Sequence, residues 1–129
     1  MNEVFTCYYA EAKRLSPQRW EFVQISNSLP KWWEYPVTLL QSLVPPWYIV
    51  ERYKRFGDFK MFESEYRLYI SKNLEYVNRD IITLRKLAEN KNVVLLCYER
   101  SDQPCHRTIA AKVIEEMTGM EINELYLGN

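Results

Sequence analysis

"VVLLCYE", residues 93–99, is the stretch that decides how this chain folds. Four apolar residues in a row cannot alternate between a core and solvent. A strand built from them is covered on both faces, as the strands of a parallel sheet are. The polar residues 89–92 in front of it end one helical pattern. A second pattern follows it, bounded by Pro104 and Gly119, the residue types favoured in a first helical turn and just past a helix end.

The rest of the chain fits that frame. Phe62, Tyr66, Tyr69 or Ile70, Leu74, Val77, Ile81, Leu84 and Ala88 recur mostly at intervals of three and four, which predicts one long amphipathic helix or two consecutive ones. "PWYIVERYKRFGD", 46–58, predicts a shorter helix closing near Gly57. "VFTCYYA", 4–10, "EFVQIS", 21–26, and "EINELYL", 121–127, read as strands, and residues 37–43 as a brief helix stopped by Pro45 and Pro46. Short strands joined by helical crossovers predict a three-layer, Rossmann-like α/β domain with a mostly parallel central sheet. With no repeat or linker, residues 1–129 are expected to form one domain.

Composition narrows the function classes. Hydrophobic residues at 47% and charged residues at 26% describe an ordinary globular chain rather than a disordered one. A net charge of zero removes any global attraction to nucleic acid, so such binding requires a local patch. No apolar run approaches the length of a membrane span, and the first residues lack a signal-peptide core, so no membrane partner is expected. Three cysteines, an odd number, suit a reducing cytoplasm better than a disulfide framework.

Chemistry gathers in one place. Cys97, Glu99, Cys105, His106 and Arg107 lie within eleven positions, and His106 is the only histidine. Ligands of open parallel sheets bind beyond the carboxyl ends of the strands, where Cys97 and Glu99 fall. Cys105 to Arg107 occupy the first turn of the next helix, whose free N–H groups and positive dipole end attract anions. Cys7, near the end of the first strand, is expected at the same edge. Each residue also has a plain structural role open to it. Cys97 can be a small buried hydrophobe, His106 can cap the stripe Ala110, Val113, Ile114, Met117, and Arg107 can pair with Glu99. For Cys105, a helix start beside His and Arg is where a thiol becomes reactive, with Arg107 expected off the apolar stripe.

"LLCYE", 95–99, followed by "CHR", 105–107, resembles the signature of the family called domain of unknown function 488. "VFTCYYAEAKRL", "ISNSLPKW", "LVPPW" and "YKRFGDFKMFESEY" extend the likeness over most of the chain. The resemblance implies an α/β fold and picks out Cys97, Glu99, Cys105, His106 and Arg107, but implies no particular activity. Where other branches have an Asp-Val-Arg segment ending the second strand, this chain has Gln24, Ile25 and Ser26, so any role of such an acid–base pair is absent or reassigned.

Three functions compete. The first is an enzyme or binder for a phosphate-bearing ligand, a nucleotide or nucleic acid, with Cys105, His106, Glu99 and Cys97 as catalytic candidates and Arg107, Cys7 and Ser26 as ligand contacts. The second is a nucleic-acid-binding module. It rests on Trp47, Tyr48, Tyr53 and Phe56 interleaved with Arg52, Lys54, Arg55 and Lys60, although most of these aromatics are expected in the core. The third is a metal or redox protein using Cys7, Cys97, Cys105 and His106, although the close Cys-x-x-Cys pair of structural zinc sites is absent. No cofactor is singled out, and no metal ligand is assigned.

Overall fold

The computed structural model describes residues 2–100 and 105–128. Its strands are β1 (Val4–Tyr8), β2 (Trp20–Gln24), β3 (Thr38–Leu39), β4 (Asn92–Cys97) and β5 (Ile122–Glu124). Its helices are α1 (Tyr9–Ala12), α2 (Trp47–Phe56), α3 (Phe59–Lys72), α4 (Leu74–Asn90) and α5 (His106–Thr118), with a 3-10 turn at Gln41–Leu43. The strands form one sheet in the order β3-β2-β4-β1-β5, and every pairing is parallel. The protein therefore has an α/β fold consistent with a three-layer Rossmann-like domain.

The apolar run lies between β1 and β2, with Val93 through Cys97 fully buried. Val93 and Leu95 face a core built with Ile49, Tyr66, Leu84 and Ile114 from α2, α3, α4 and α5. Val94 and Leu96 face the other way, onto Cys7, Tyr9 and Phe22 with Trp33 and Tyr35 packed around them. The two layers are unequal: four helices cover one face, while α1 and an aromatic loop cover the other. Trp33 and Tyr35 meet Phe22 at ring separations of 5.1 and 5.3 Å, supplying there the apolar cover that a helix supplies elsewhere.

Helix ends follow local chemistry. Gly57 and Gly119 close α2 and α5 at φ of 67° and 76°, and each N–H returns to the carbonyl four residues back. Asp58 caps α3 by accepting the Met61 N–H at 3.1 Å. The long periodic segment divides at Asn73, where φ reaches −123°. Its stripe is buried as expected except at this break, where Leu74 is exposed.

Several expectations are corrected. Residues 37–43 contain β3 and the 3-10 turn instead of a helix, because Val23 and Gln24 draw Thr38 and Leu39 into the sheet. β1 stops at Tyr8, with α1 beginning at Tyr9, and β4 stops at Cys97, two residues short of Glu99. The expected start of the last helix at Pro104 lies outside the described residues. No helix among the described residues is long and apolar enough to cross a membrane.

Candidate functional site

The cluster forms where β4 ends and α5 begins. Cys97 is the last residue of β4 and Cys105 is the N-cap of α5, with their Cα atoms 7.5 Å apart. Their sulfurs are joined in a disulfide. Free thiols were the expectation from the odd cysteine count, which cannot register that two of the three converge from a strand end and a helix start. Glu99 lies just beyond β4, and its Oε2 is 3.1 Å from Cys105 Sγ and 3.8 Å from Cys97 Sγ.

His106 sits against this pair with a defined tautomer. Its Nε2 contacts the carbonyl oxygen of Ile25, which only accepts hydrogen bonds, so Nε2 carries the proton. Nδ1 is thereby left with its lone pair, 3.9 Å from Cys105 Sγ. Loss of solvation at this half-buried ring lowers its pKa to about 4. The hydrogen bond to Ile25 opposes that shift and the neighbouring Arg107 charge adds to it. The imidazole is neutral at pH 7.

Arg107 departs from its expected place. It was expected off the apolar stripe, and it is 2% exposed. Its Nε and Nη2 donate to the two carboxylate oxygens of Glu124 at 3.0 and 2.9 Å. Its Nη1 donates to the Glu99 carbonyl oxygen at 2.6 Å and lies 3.0 Å from Cys97 Sγ. A buried guanidinium persists because every arm has a partner, and the bidentate carboxylate satisfies most of its charge. Arg107 thus meets Cys97 instead of Cys105, and Glu124 instead of the Glu99 carboxylate.

Cys7 is not brought to the cluster. It pairs in register with Leu96, so its side chain points to the opposite face of the sheet from Cys97, which is paired with Tyr8. Burial raises its pKa to about 12, with the Glu124 charge adding to the effect. Ser26, in contrast, reaches the site. Its hydroxyl donates to the Ser28 carbonyl at 2.8 Å, and so accepts from Tyr9 Oη at 2.7 Å.

A cleft of about 430 Å³ opens beside the cluster, and its lining includes Ser26, Trp47, Lys54, Tyr98, Glu99 and His106. Trp47 and Tyr98 are 55% and 45% exposed, and Lys54 Nζ lies 4.8 Å over the Trp47 ring. Most of the aromatics around 47–56 were expected in the core, yet Trp47, Tyr48 and Phe56 are exposed and only Tyr53 packs against it. Sequence reasoning grouped Trp47 and Lys54 with a nucleic-acid patch and passed over Tyr98. Nothing in spacing links α2 to a strand end some fifty residues later.

Fold and cluster together define a class: a parallel α/β domain with a Cys-Glu and Cys-His-Arg site at the carboxyl edge of its central strand. The chain belongs to the DUF488 family, since residues 8–118 match the family model DUF488-N3a, described as the active DUF488-N3 subclade. No curated protein and no solved structure matches it significantly.

Proposed function

We propose that the protein is an enzyme acting on a phosphate-bearing ligand with a planar ring, of the nucleotide class, seated in the cleft between Trp47 and Tyr98. One observation carries this reading: the cleft and the sulfur cluster share Glu99 and His106. A ligand in the cleft therefore rests against the Glu99 carboxylate and the His106 ring. Trp47 and Tyr98 offer aromatic surface to a ring, and Lys54 offers the cation for a phosphate. Arg107 is left out of ligand binding and becomes a positioning residue, because its donors are committed to Glu124, Glu99 and the Cys97 sulfur. The word "active" in the subclade's description agrees with an enzyme.

Tryptophan fluorescence tests the reading, by titration with nucleoside 5′-monophosphates, the parent nucleosides and orthophosphate. Saturable quenching by the monophosphates is expected. Trp47→Ala should weaken all ring-bearing ligands about tenfold, or about 1.4 kcal/mol, and Lys54→Ala should weaken the monophosphates but not the nucleosides. Absence of saturation, or indifference to both substitutions, overturns it.

A further inference from the structure

We propose that Cys97, Cys105 and His106, once the disulfide is reduced, form a three-ligand site for a divalent zinc-like cation, with a fourth position facing Glu99. The inference goes beyond the ligand reading and does not depend on what the cleft binds. Four observations converge on it.

The ligand atoms of the three residues all lie within 4.8 Å of one another. That is the spacing of groups surrounding one ion at zinc–sulfur distances of about 2.3 Å and zinc–nitrogen distances of about 2.0 Å. The Cα separation of 7.5 Å between Cys97 and Cys105 is wider than the roughly 4.4–6.8 Å usual for a disulfide, and two metal–sulfur bonds span more than one sulfur–sulfur bond.

His106 is already oriented as a ligand. Its Nε2–H is held by the Ile25 carbonyl, the outer-shell arrangement that fixes the tautomer of metal-bound imidazoles, and the free Nδ1 faces the sulfurs. Arg107 completes the outer shell by bringing Nη1 to Cys97 Sγ while Glu124 locks the guanidinium.

Charge makes the same choice. Metal binding ionises both thiols beside the Glu99 carboxylate and the Arg107–Glu124 pair, and the two positive charges of the ion offset those of the two thiolates. Two thiolates and an imidazole select zinc over magnesium or calcium. Three protein ligands, not four, leave a position open for water. Glu99 borders that open position, and a bound ion would make the sulfurs ligands, not nucleophiles.

The disulfide and the metal site are alternative states of the same sulfurs. A dithiol reductant delivers two electrons and two protons to the Cys97–Cys105 bond and itself becomes a cyclic disulfide. Metal binding then releases the two thiol protons to solvent. The test uses cobalt as a coloured stand-in for zinc, added to the whole protein without oxygen. After reduction, one equivalent of cobalt should give the near-ultraviolet thiolate-to-cobalt band and intense visible bands of tetrahedral geometry, all lost when zinc is added. The oxidised protein, with its fold held by the same contacts, should give none. His106→Asn should weaken the reduced site at least tenfold, and Cys97→Ser should remove most of the thiolate band. No thiolate band in the reduced, folded protein overturns the site, as does an equal band in the oxidised one or a band indifferent to His106→Asn and Cys97→Ser.

Discussion

Arg107 and Glu124 are joined by two parallel contacts, Nε to Oε1 at 3.0 Å and Nη2 to Oε2 at 2.9 Å. The guanidinium is almost wholly enclosed, while the Glu124 side chain keeps 18% of its surface exposed. Glu124 also accepts the Thr6 hydroxyl at 2.6 Å, and the remaining arm of Arg107 holds the Glu99 carbonyl. The pair thus ties together β1, β5, the residues after β4 and the first turn of α5. The geometry of the site depends on this tie.

Removing the cation therefore threatens the fold as well as the site. Arg107→Ala strips the two-pronged guanidinium contact from the Glu124 carboxylate and empties a buried volume, an expected cost of about 3–5 kcal/mol. Arg107→Lys restores a charge but not the fork, so it should recover only part of that loss. Urea midpoints of the three chains measure the effect, and a loss below about 1 kcal/mol in Arg107→Ala would contradict the buried tie.

The central strand should dominate stability in the same assay. Leu95 is fully buried in the helical core, so Leu95→Ala should cost about 2–5 kcal/mol. Leu68 is 55% exposed on α3, and Leu68→Ala should change stability by no more than about 0.5 kcal/mol. Equal effects at the two positions would refute the assignment of 93–97 as the buried centre.

Cys7 should behave as a sealed thiol. Its folded pKa is raised from 9.0 to about 12, so the folded chain holds the proton longer than the unfolded one. Its stabilising contribution is complete below pH 9. It is lost as pH rises from about 9 towards 12, at up to about 1.4 kcal/mol per pH unit. Stability curves for the parent and Cys7→Ala should therefore converge in that window, and iodoacetamide should leave Cys7 unmodified at pH 7 until denaturant is added. Rapid labelling in the folded protein would place the residue elsewhere.

What the sequence discloses depends on whether a signal is local. The run 93–97, the stripe from Phe62 to Ala88 and the glycines at 57 and 119 each carry their meaning within a few residues, and the structure agrees with them. The cluster was legible for the same reason: Cys97, Glu99, Cys105 and His106 are close in sequence and need only a strand end and a helix start to meet. Cys7 reaches the expected edge, because β1 neighbours β4, but one step of register sends its side chain to the other face, and register is set by packing across the whole sheet. Arg107 was misplaced because its partner Glu124 lies in a three-residue strand whose neighbour cannot be read from pattern. The cleft wall from α2 was invisible, since only tertiary packing brings Trp47 and Lys54 beside Glu99.

The aromatic face of α2 yields the last expectation. Of its cations, Arg52 is paired with Glu65 at 3.1 Å, whereas Lys54 lies over Trp47 on the wall of the cleft. If a single-stranded nucleic acid is the phosphate-bearing ligand, its end should enter the cleft and meet few charges. Each phosphate neutralised on a single strand contributes about −0.7 to the slope of log affinity against log salt. One or two contacts predict a shallow slope of about −0.7 to −1.4. Lys54→Ala should flatten that slope by about 0.7 and Arg52→Ala should scarcely alter it, because Arg52 is already neutralised by Glu65. Fluorescence titration of a short oligonucleotide across salt concentrations makes the measurement. A slope steeper than about −3, or equal effects of the two substitutions, would mean that the strand binds along the surface of α2 and that the cleft is not its site.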